Sequence, residues 1–461
     1  MTIPTSVIKK IEKIIGRQHL CRDKEDLLCY AFDATKTVSV PDAVVFPGNA
    51  QEVSEILKLA NQHGFSVTPR GAGSGMTGGS VPVRQGVVLA MSRFNNILSI
   101  DRDNLIARVE PGVVTGVFQK AVDKEGLFYP PDPSSSDFST LGGNAAECAG
   151  GPKAVKYGVT RDYVLGMTVV LPTGEIIRTG VQTAKGVVGY DLTRLIVGSE
   201  GTLGVITELT LRLRPKPEAV RTMTAVYNRI GAAAETVSEI IRRGIIPRTI
   251  EFMDNASIRC AEAYAKSGLP TDAEALLIIE VDGGIDETAR ALKTIESVCR
   301  GFDVRSIMVA ETPEAAQAVW KARKSVSPAL YRYGPDKINE DIVVPRSRIP
   351  DMVSKIQDLS RQTGLMMVCF GHAGDGNIHF NIMADKKDTA QWEKALNAVG
   401  EIFDYTLALG GTLSGEHGIG MTKSAYIGRE ITPEALALMR RIKNAFDPKG
   451  ILNPGKIFAN D

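Results

Sequence analysis

Five glycines fall within residues 71–79, in Arg70-Gly-Ala-Gly-Ser-Gly-Met-Thr-Gly-Gly79. This stretch runs straight out of the strand-like Ser66-Val-Thr-Pro69. Gly73, Gly75 and Gly78 have the Gly-x-Gly-x-x-Gly spacing, but no helix pattern follows them; Pro82 and the apolar run 87–92 come next. A doubly wound dinucleotide fold needs strand, glycine turn and helix in immediate succession. The chain is therefore not of that kind. Consecutive glycine N–H groups can nevertheless form a nest for a pyrophosphate with no helix behind them.

Two further stretches, 141–151 and 198–204, are built for the same close backbone approach. Three such loops in one region predict a large phosphorylated cofactor. Around them the pattern predicts short elements: a helix over 51–63 begun near Asn49 and stopped by Gly64, a helix over 115–125, and strands near 87–92, 97–101, 105–110, 164–171, 175–179 and 205–214. Pro215-Lys-Pro217 reads as a boundary. Beyond it, apolar runs at 223–227, 275–281, 304–310, 338–344 and 366–370 alternate with helical patterns near 231–243, 286–299, 312–332, 348–362 and 389–409. A last helix starts at Thr432-Pro433. With 461 residues, more than one domain is expected.

Histidine is scarce, with five in the chain, yet three lie close together in two glycine-rich turns: Gly371-His-Ala-Gly-Asp-Gly-Asn-Ile-His379 and Ser414-Gly-Glu-His-Gly-Ile-Gly420. Asp375-Gly376 predicts a two-residue hairpin turn, pairing 374 with 377, 373 with 378, and 372 with 379. His372 and His379 then share one face with Cβ atoms ~5 Å apart, and Asn381 follows on that face. Two imidazoles and a carboxylate suit a divalent transition metal, and Glu416 is the available carboxylate. Its neighbour His417 cannot easily point the same way, so one of the two can ligate while the other acts as a base.

Bulk properties exclude several classes. Basic and acidic residues balance, 54 against 53, with no basic stripe for nucleic acid. Six scattered cysteines lack iron–sulfur or disulfide spacing. No apolar run is long enough to span a membrane, and the amphipathic N-terminus lacks a signal-peptide core. A cytoplasmic location is expected.

Taken together, Pro69-Arg-Gly-Ala-Gly-Ser-Gly-Met-Thr-Gly-Gly79, Pro130-Pro-Asp-Pro133, Thr140-Leu-Gly-Gly-Asn144, Ala149-Gly-Gly151, Tyr157-Gly158 and Glu200-Gly-Thr-Leu-Gly-Val-Ile206 resemble the FAD-binding domain of the vanillyl-alcohol oxidase superfamily. The two histidine motifs and Leu452-Asn-Pro-Gly-Lys456 resemble its 2-hydroxy-acid branch, which holds D-lactate dehydrogenase, D-2-hydroxyglutarate dehydrogenase and the D subunit of glycolate oxidase. The resemblance implies an α+β fold: a two-subdomain FAD-binding domain plus an α+β cap with an antiparallel sheet. The corresponding division is an N-terminal helical segment (1–37), an FAD domain (38–217), a cap (218–415) and a C-terminal segment (416–461) returning to the FAD domain. It further implies that Arg70, Gly71, Ala72, Gly73, Ser74, Gly75, Gly78 and Gly79 wrap the FAD pyrophosphate. Pro130, Asp132, Thr140, Gly143, Asn144, Gly151, Tyr157, Val205 and Ile206 would line the rest, and Asn453 would close it. Ser74 stands where some relatives tether FAD through histidine, so FAD is expected to be non-covalent. His372, His379 and Glu416 would bind the metal, zinc first, with iron or manganese as alternatives. His417 would be the base and Arg323, in Trp320-Lys-Ala-Arg323, the clamp for the substrate carboxylate, assisted by Ser327 and Lys337.

The reaction implied is oxidation of a D-2-hydroxy acid to the 2-oxo acid, D-lactate before glycolate and D-2-hydroxyglutarate. The chain has no iron–sulfur spacing of its own, so electrons would pass to an electron-transferring flavoprotein, an iron–sulfur subunit or a quinone. Two other classes compete: a flavin-containing electron-relay subunit, which has no use for a metal and a base, and a flavin-free metallohydrolase, which has no use for three glycine loops.

Overall fold

The computed structural model describes residues 3–458. The chain divides into two compact units: Met1–Gly150 with Val159–Lys216 and Glu416–Asp461, and Gly151–Gly158 with Pro217–Gly415. The change at 216/217 falls inside Pro215-Lys-Pro217. Helices and antiparallel sheets mix in both units, which is the α+β class read from the sequence.

In the first unit the side chain of Asn49 accepts from Glu52 N–H at 2.9 Å and starts the helix Ala50–His63; Gly64, at φ +71°, ends it. Its apolar face, Val53, Ile56, Leu57 and Ala60, packs on Val45, Val67, Val87 and Leu89. Each large side chain so buried contributes roughly 1.5–3 kcal/mol. These residues come from a four-stranded sheet in the order Leu20–Cys21, Ala43–Val45, Val87–Ala90, Val67–Arg70, the last three parallel. Val7, Ile8, Ile11 and Ile15 of the helix Thr5–Ile15 join the same core, so the N-terminal segment is part of this unit. The connection 71–86 between parallel neighbours contains no helix, as its glycine and proline content predicts. A second, antiparallel sheet runs Ile97–Asp101, Ile106–Val109, Val205–Arg212, Val164–Val170, Ile176–Gly180. The C-terminal return lies beside Val67, whose carbonyl accepts from Asn453 N–H at 2.8 Å.

The second unit is built on one seven-stranded antiparallel sheet: Val304–Val309, Ala219–Tyr227, Ala275–Gly283, Thr249–Asp254, Met366–His372, Asn377–Ala384, Asp336–Val343. Helices Ile230–Arg242, Ile285–Arg300, Ile349–Thr363 and Thr389–Ala408 pack on one side. On the other, Asn255–Ala265 and Val326–Ala329 close an apolar cluster with Met253, Leu276, Ile278, Val368 and Phe370. The strand Thr249–Asp254 and the helix after it are additions to the sequence reading. Glu251 and Asp254 interrupt the apolar run there, and an alternation broken by buried acids does not register as a strand. Among the described residues no helix is long and apolar enough to cross a membrane.

Candidate functional site

The first unit gathers its three glycine stretches in one place. A Cβ on Gly71 would sit 2.3 Å from Thr140 Oγ1, and one on Gly79 2.5 Å from Glu147 Oε1. Thr140 itself caps the helix Leu141–Glu147 by accepting from Gly143 N–H at 3.2 Å. Glu200, from the third stretch, accepts from Ile419 and Gly420 N–H, each at 2.7 Å. Asn453 donates from Nδ2 to the carbonyls of Gly79 and Glu200, both at 2.8 Å. One amide thus ties the first stretch, the third stretch and the C-terminal return together. Burial pushes the carboxyls of Asp33, Glu147 and Glu200 above the usual range, and pushes the Lys456 ammonium down to about 8.

This arrangement fits a bound pyrophosphate. Gly73 and Gly78 take φ of +69° and +84°, open to glycine at no steric cost. Among the described residues the N–H groups of Ala72, Gly73, Ser74 and Gly75 donate to no protein acceptor. Backbone donors left over in a part-buried loop call for an outside acceptor. The buried Asn453 Oδ1 likewise lacks a partner. Arg70 is buried, with its guanidinium 5.6 Å from the Tyr30 ring centroid. Val205 and Ile206 lie buried at the start of their strand, Pro130 is buried and Asp132 part-buried. Asn144 spends its side-chain amide on Thr115 Oγ1 at 2.7 Å. Gly151 and Tyr157 belong to the second unit, where Tyr157 OH donates to Asp282 at 2.8 Å beside Lys156 Nζ at 2.5 Å.

In the second unit the histidine hairpin differs from its expected register. His372 pairs with Asn377, Gly371 with Ile378 and Phe370 with His379, so the loop is the four residues 373–376. Only Gly376 of the expected two-residue turn takes positive φ, +91°. Asp375 does not follow it into that region; its carboxylate instead accepts from Asn377 N–H at 3.2 Å, while Asp375 and Gly376 N–H return to the His372 carbonyl. The slip is two residues, and a slip of two leaves every side chain on its expected face. The histidines are diagonal neighbours, and their Nε2 atoms still lie 3.3 Å apart, with both residues buried. Two imidazole nitrogens facing each other at that distance, away from water, suit a shared cation.

The same face carries more polar groups. His372 Nδ1 contacts the Glu251 carboxylate, and Glu251 is His372's cross-strand partner. Glu251 Oε2 also lies 2.7 Å from Arg323 Nη2, on the helix Pro313–Lys324. The Arg323 guanidinium stacks 4.6 Å from the Phe370 ring centroid, and its Nε has no partner among the described residues. Asn381 is fully buried, both side-chain atoms without a hydrogen bond. Lys337 Nζ lies 2.8 Å from Ser327 Oγ. Asp341, opposite His379 in the sheet, accepts from Gly415 N–H at 2.8 Å. The next residue in the chain is Glu416. It and His417 belong to the first unit, where Glu416 Oε2 lies 2.8 Å from the position of a Cβ on Gly150, and the His417 carbonyl accepts from Thr77 Oγ1 at 3.0 Å. Glu251 and Asp341 were missed in the sequence. For Glu251 the sequence carries one signal, a lone acid inside an apolar strand (Ile250-Glu251-Phe252), which marks a buried carboxylate in need of a partner without saying which.

Comparison with known proteins gives two family matches: an FAD binding domain over residues 41–180, and the FAD linked oxidases, C-terminal domain, over residues 216–457. The glycolate oxidase subunit GlcD of Bacillus subtilis (strain 168) is 46% identical over 460 residues, covering 100% of this chain and 98% of that protein. GlcD of Escherichia coli (strain K12) is 36% identical, with 98% and 91% covered. The D-lactate dehydrogenase of Anaerostipes hadrus is 35% identical, with 90% and 89% covered. Among solved structures, p-cresol methylhydroxylase with substrate bound aligns at TM-score 0.83 and 18% identity, covering 99% of this chain and 97% of its own. A 4-ethylphenol oxidase from Gulosibacter chungangensis aligns at 0.80 and 19%, covering 98% and 97%. At such identities these two speak for the fold alone.

Proposed function

This chain belongs to the family of FAD-linked oxidases, and from that premise we propose that it oxidises a short 2-hydroxy acid, glycolate or D-lactate, to the 2-oxo acid. The observation that carries this reading is the pairing of a fixed arginine with a buried imidazole pair on one face of the second unit's sheet. A 2-hydroxy acid offers the matching handles, a carboxylate and a neighbouring hydroxyl. The similarity to glycolate oxidase subunits and to D-lactate dehydrogenases along nearly the whole chain supports the same substrate class.

Arg323 binds the substrate carboxylate; its partnerless Nε and the planar guanidinium suit a two-point contact. Lys337 and Ser327 assist at the carboxylate, and Asn381 offers an uncommitted amide on the same face. His372 and His379, with Glu416 one residue beyond the anchored Gly415, would hold a divalent ion, zinc before iron or manganese. Such an ion would supply Lewis acidity toward the C2 hydroxyl. His417 accepts the hydroxyl proton as general base, the role its imidazole can fill when neutral. Residues 71–79 would hold FAD non-covalently, and the flavin would supply the hydride acceptor opposite C2. Relatives named as subunits support a protein partner that takes the electrons onward.

Turnover with an artificial electron acceptor tests the reading. Across glycolate, D-lactate, L-lactate and D-2-hydroxyglutarate, glycolate or D-lactate should be consumed with matching 2-oxo acid, and L-lactate should not. If no 2-hydroxy acid turns over, the proposal is wrong.

A further inference from the structure

We infer that Glu251 is a positioning residue that couples the two halves of the substrate site, setting the metal-binding nitrogen of His372 with one oxygen and the pose of Arg323 with the other. The inference rests on the reading just given.

Glu251 sits at the centre of the sheet on the strand Thr249–Asp254 and is fully buried. Its strand is flanked by Ala275–Gly283 and Met366–His372, so it has no freedom to reach water. A carboxylate there needs a partner for each oxygen, and it has two partners of different function. Oε1 contacts His372 Nδ1 and Oε2 contacts Arg323 Nη2. The first contact makes Nδ1 the N–H donor and leaves the lone pair on Nε2, the nitrogen that faces His379. The second holds the guanidinium over Phe370. One anion thereby serves both a resident arginine and an imidazole that would hold a divalent cation, and it would reduce the repulsion between those two positive groups. Metal loading and carboxylate binding should therefore be coupled through this one side chain, although Glu251 touches neither ligand.

Coupling of this kind makes opposite predictions for two substitutions. Glu251→Gln loses the negative charge and replaces one of its two oxygens with an NH2, so it can no longer present an anionic oxygen to His372 Nδ1 and another to Arg323; cobalt(II) binding, followed by its visible absorption in the demetallated protein, should weaken by ~10–100-fold. The KM for glycolate or D-lactate should rise more than kcat falls once metal is saturating. Arg323→Met removes a cation and leaves Glu251 wholly to His372; cobalt(II) should bind more tightly, by at least ~3-fold, even though Arg323 is no ligand. A loss of packing alone weakens binding in both variants and cannot produce opposite signs. Far-UV circular dichroism checks that each variant is folded, and the Arg323 arm stands if Glu251→Gln is not. Should wild type bind cobalt(II) while both variants match it within about twofold, or both weaken it, Glu251 does not couple the groups and only this inference falls. Should wild type bind no cobalt(II) at all, the metal reading falls and this inference with it.

Discussion

Asn453 offers a quantitative test of how the first unit assembles its cofactor loops. Its Nδ2 donates to the carbonyls of Gly79 and Glu200, both at 2.8 Å and buried. Its backbone takes φ +43°, a region asparagine tolerates and alanine does not. Asn453→Ala loses two hydrogen bonds of about 1 kcal/mol each. The left-handed backbone adds ~1–2 kcal/mol for an L-residue with a bare Cβ. A total near 3–4 kcal/mol is expected, a large part of a domain's marginal stability. Asn453→Asp keeps the shape and the backbone preference but has no donor, and sets a carboxylate against two carbonyl oxygens; it should cost at least ~2 kcal/mol. Urea unfolding of FAD-stripped protein, followed by far-UV circular dichroism, measures both. The two tryptophans, Trp320 and Trp392, lie in the second unit, so their fluorescence reports that unit separately. The predicted loss appears in the dichroism transition, and FAD affinity falls at least ~10-fold, equivalent to 1.4 kcal/mol. A shift under ~1 kcal/mol with unchanged FAD affinity would refute the idea that this amide organises the loops.

Three further outcomes are expected. His417→Ala should keep its FAD, because the main-chain contact of residue 417 with Thr77 is untouched, while substrate reduction of the flavin slows by ~10²–10⁴-fold; reduction at a near-normal rate would remove His417 from the proton step. Exhaustive chelation should abolish turnover without releasing flavin, and added zinc should restore it; normal turnover of metal-free protein would show that no ion takes part. Lys456 is buried, with its pKa depressed to about 8 by desolvation against the opposing pull of Asp33, Glu200 and Glu147. Below pH 8 folded and unfolded chains both carry this proton and the fold bears the net cost of holding it there, about 3 kcal/mol. Between pH 8 and the ordinary lysine value of 10.5 the unfolded state binds more protons, so stability rises with pH. Lys456→Met should flatten that rise; an identical pH profile in the variant would show that the ammonium is not buried at this cost.

Local chemistry decided what could be read from the sequence. The helix Ala50–His63 was legible to within one residue because Asn49 and Gly64 mark its ends. The loop 71–86 was legible because Pro82 and its glycines forbid the helix a dinucleotide fold requires. The two histidines were legible as a pair because the face of a strand residue depends only on parity, which the true four-residue loop preserved. Their cross-strand register was not legible, since Asp375 could serve either as an αL turn residue or as a side-chain acceptor for Asn377, and it does the second. Glu251 and Asp341 were hidden for a different reason. Each is placed by strand pairing across more than thirty residues of chain: Glu251 opposite His372, Asp341 opposite His379. No local pattern encodes such partners. Arg323 was nameable only through family resemblance, because a helix arginine is most often a solvated charge; here it is buried on Glu251.

In the proposed reaction this chain takes hydride from C2 of a 2-hydroxy acid onto its own flavin. Anaerobic titration of the FAD-loaded protein, watching the flavin absorbance, tests that step with no electron acceptor involved. Glycolate or D-lactate should bleach the flavin to completion, with one 2-oxo acid formed per flavin. A flavin that stays fully oxidised with every 2-hydroxy acid, yet is reduced by dithionite, would contradict the claim.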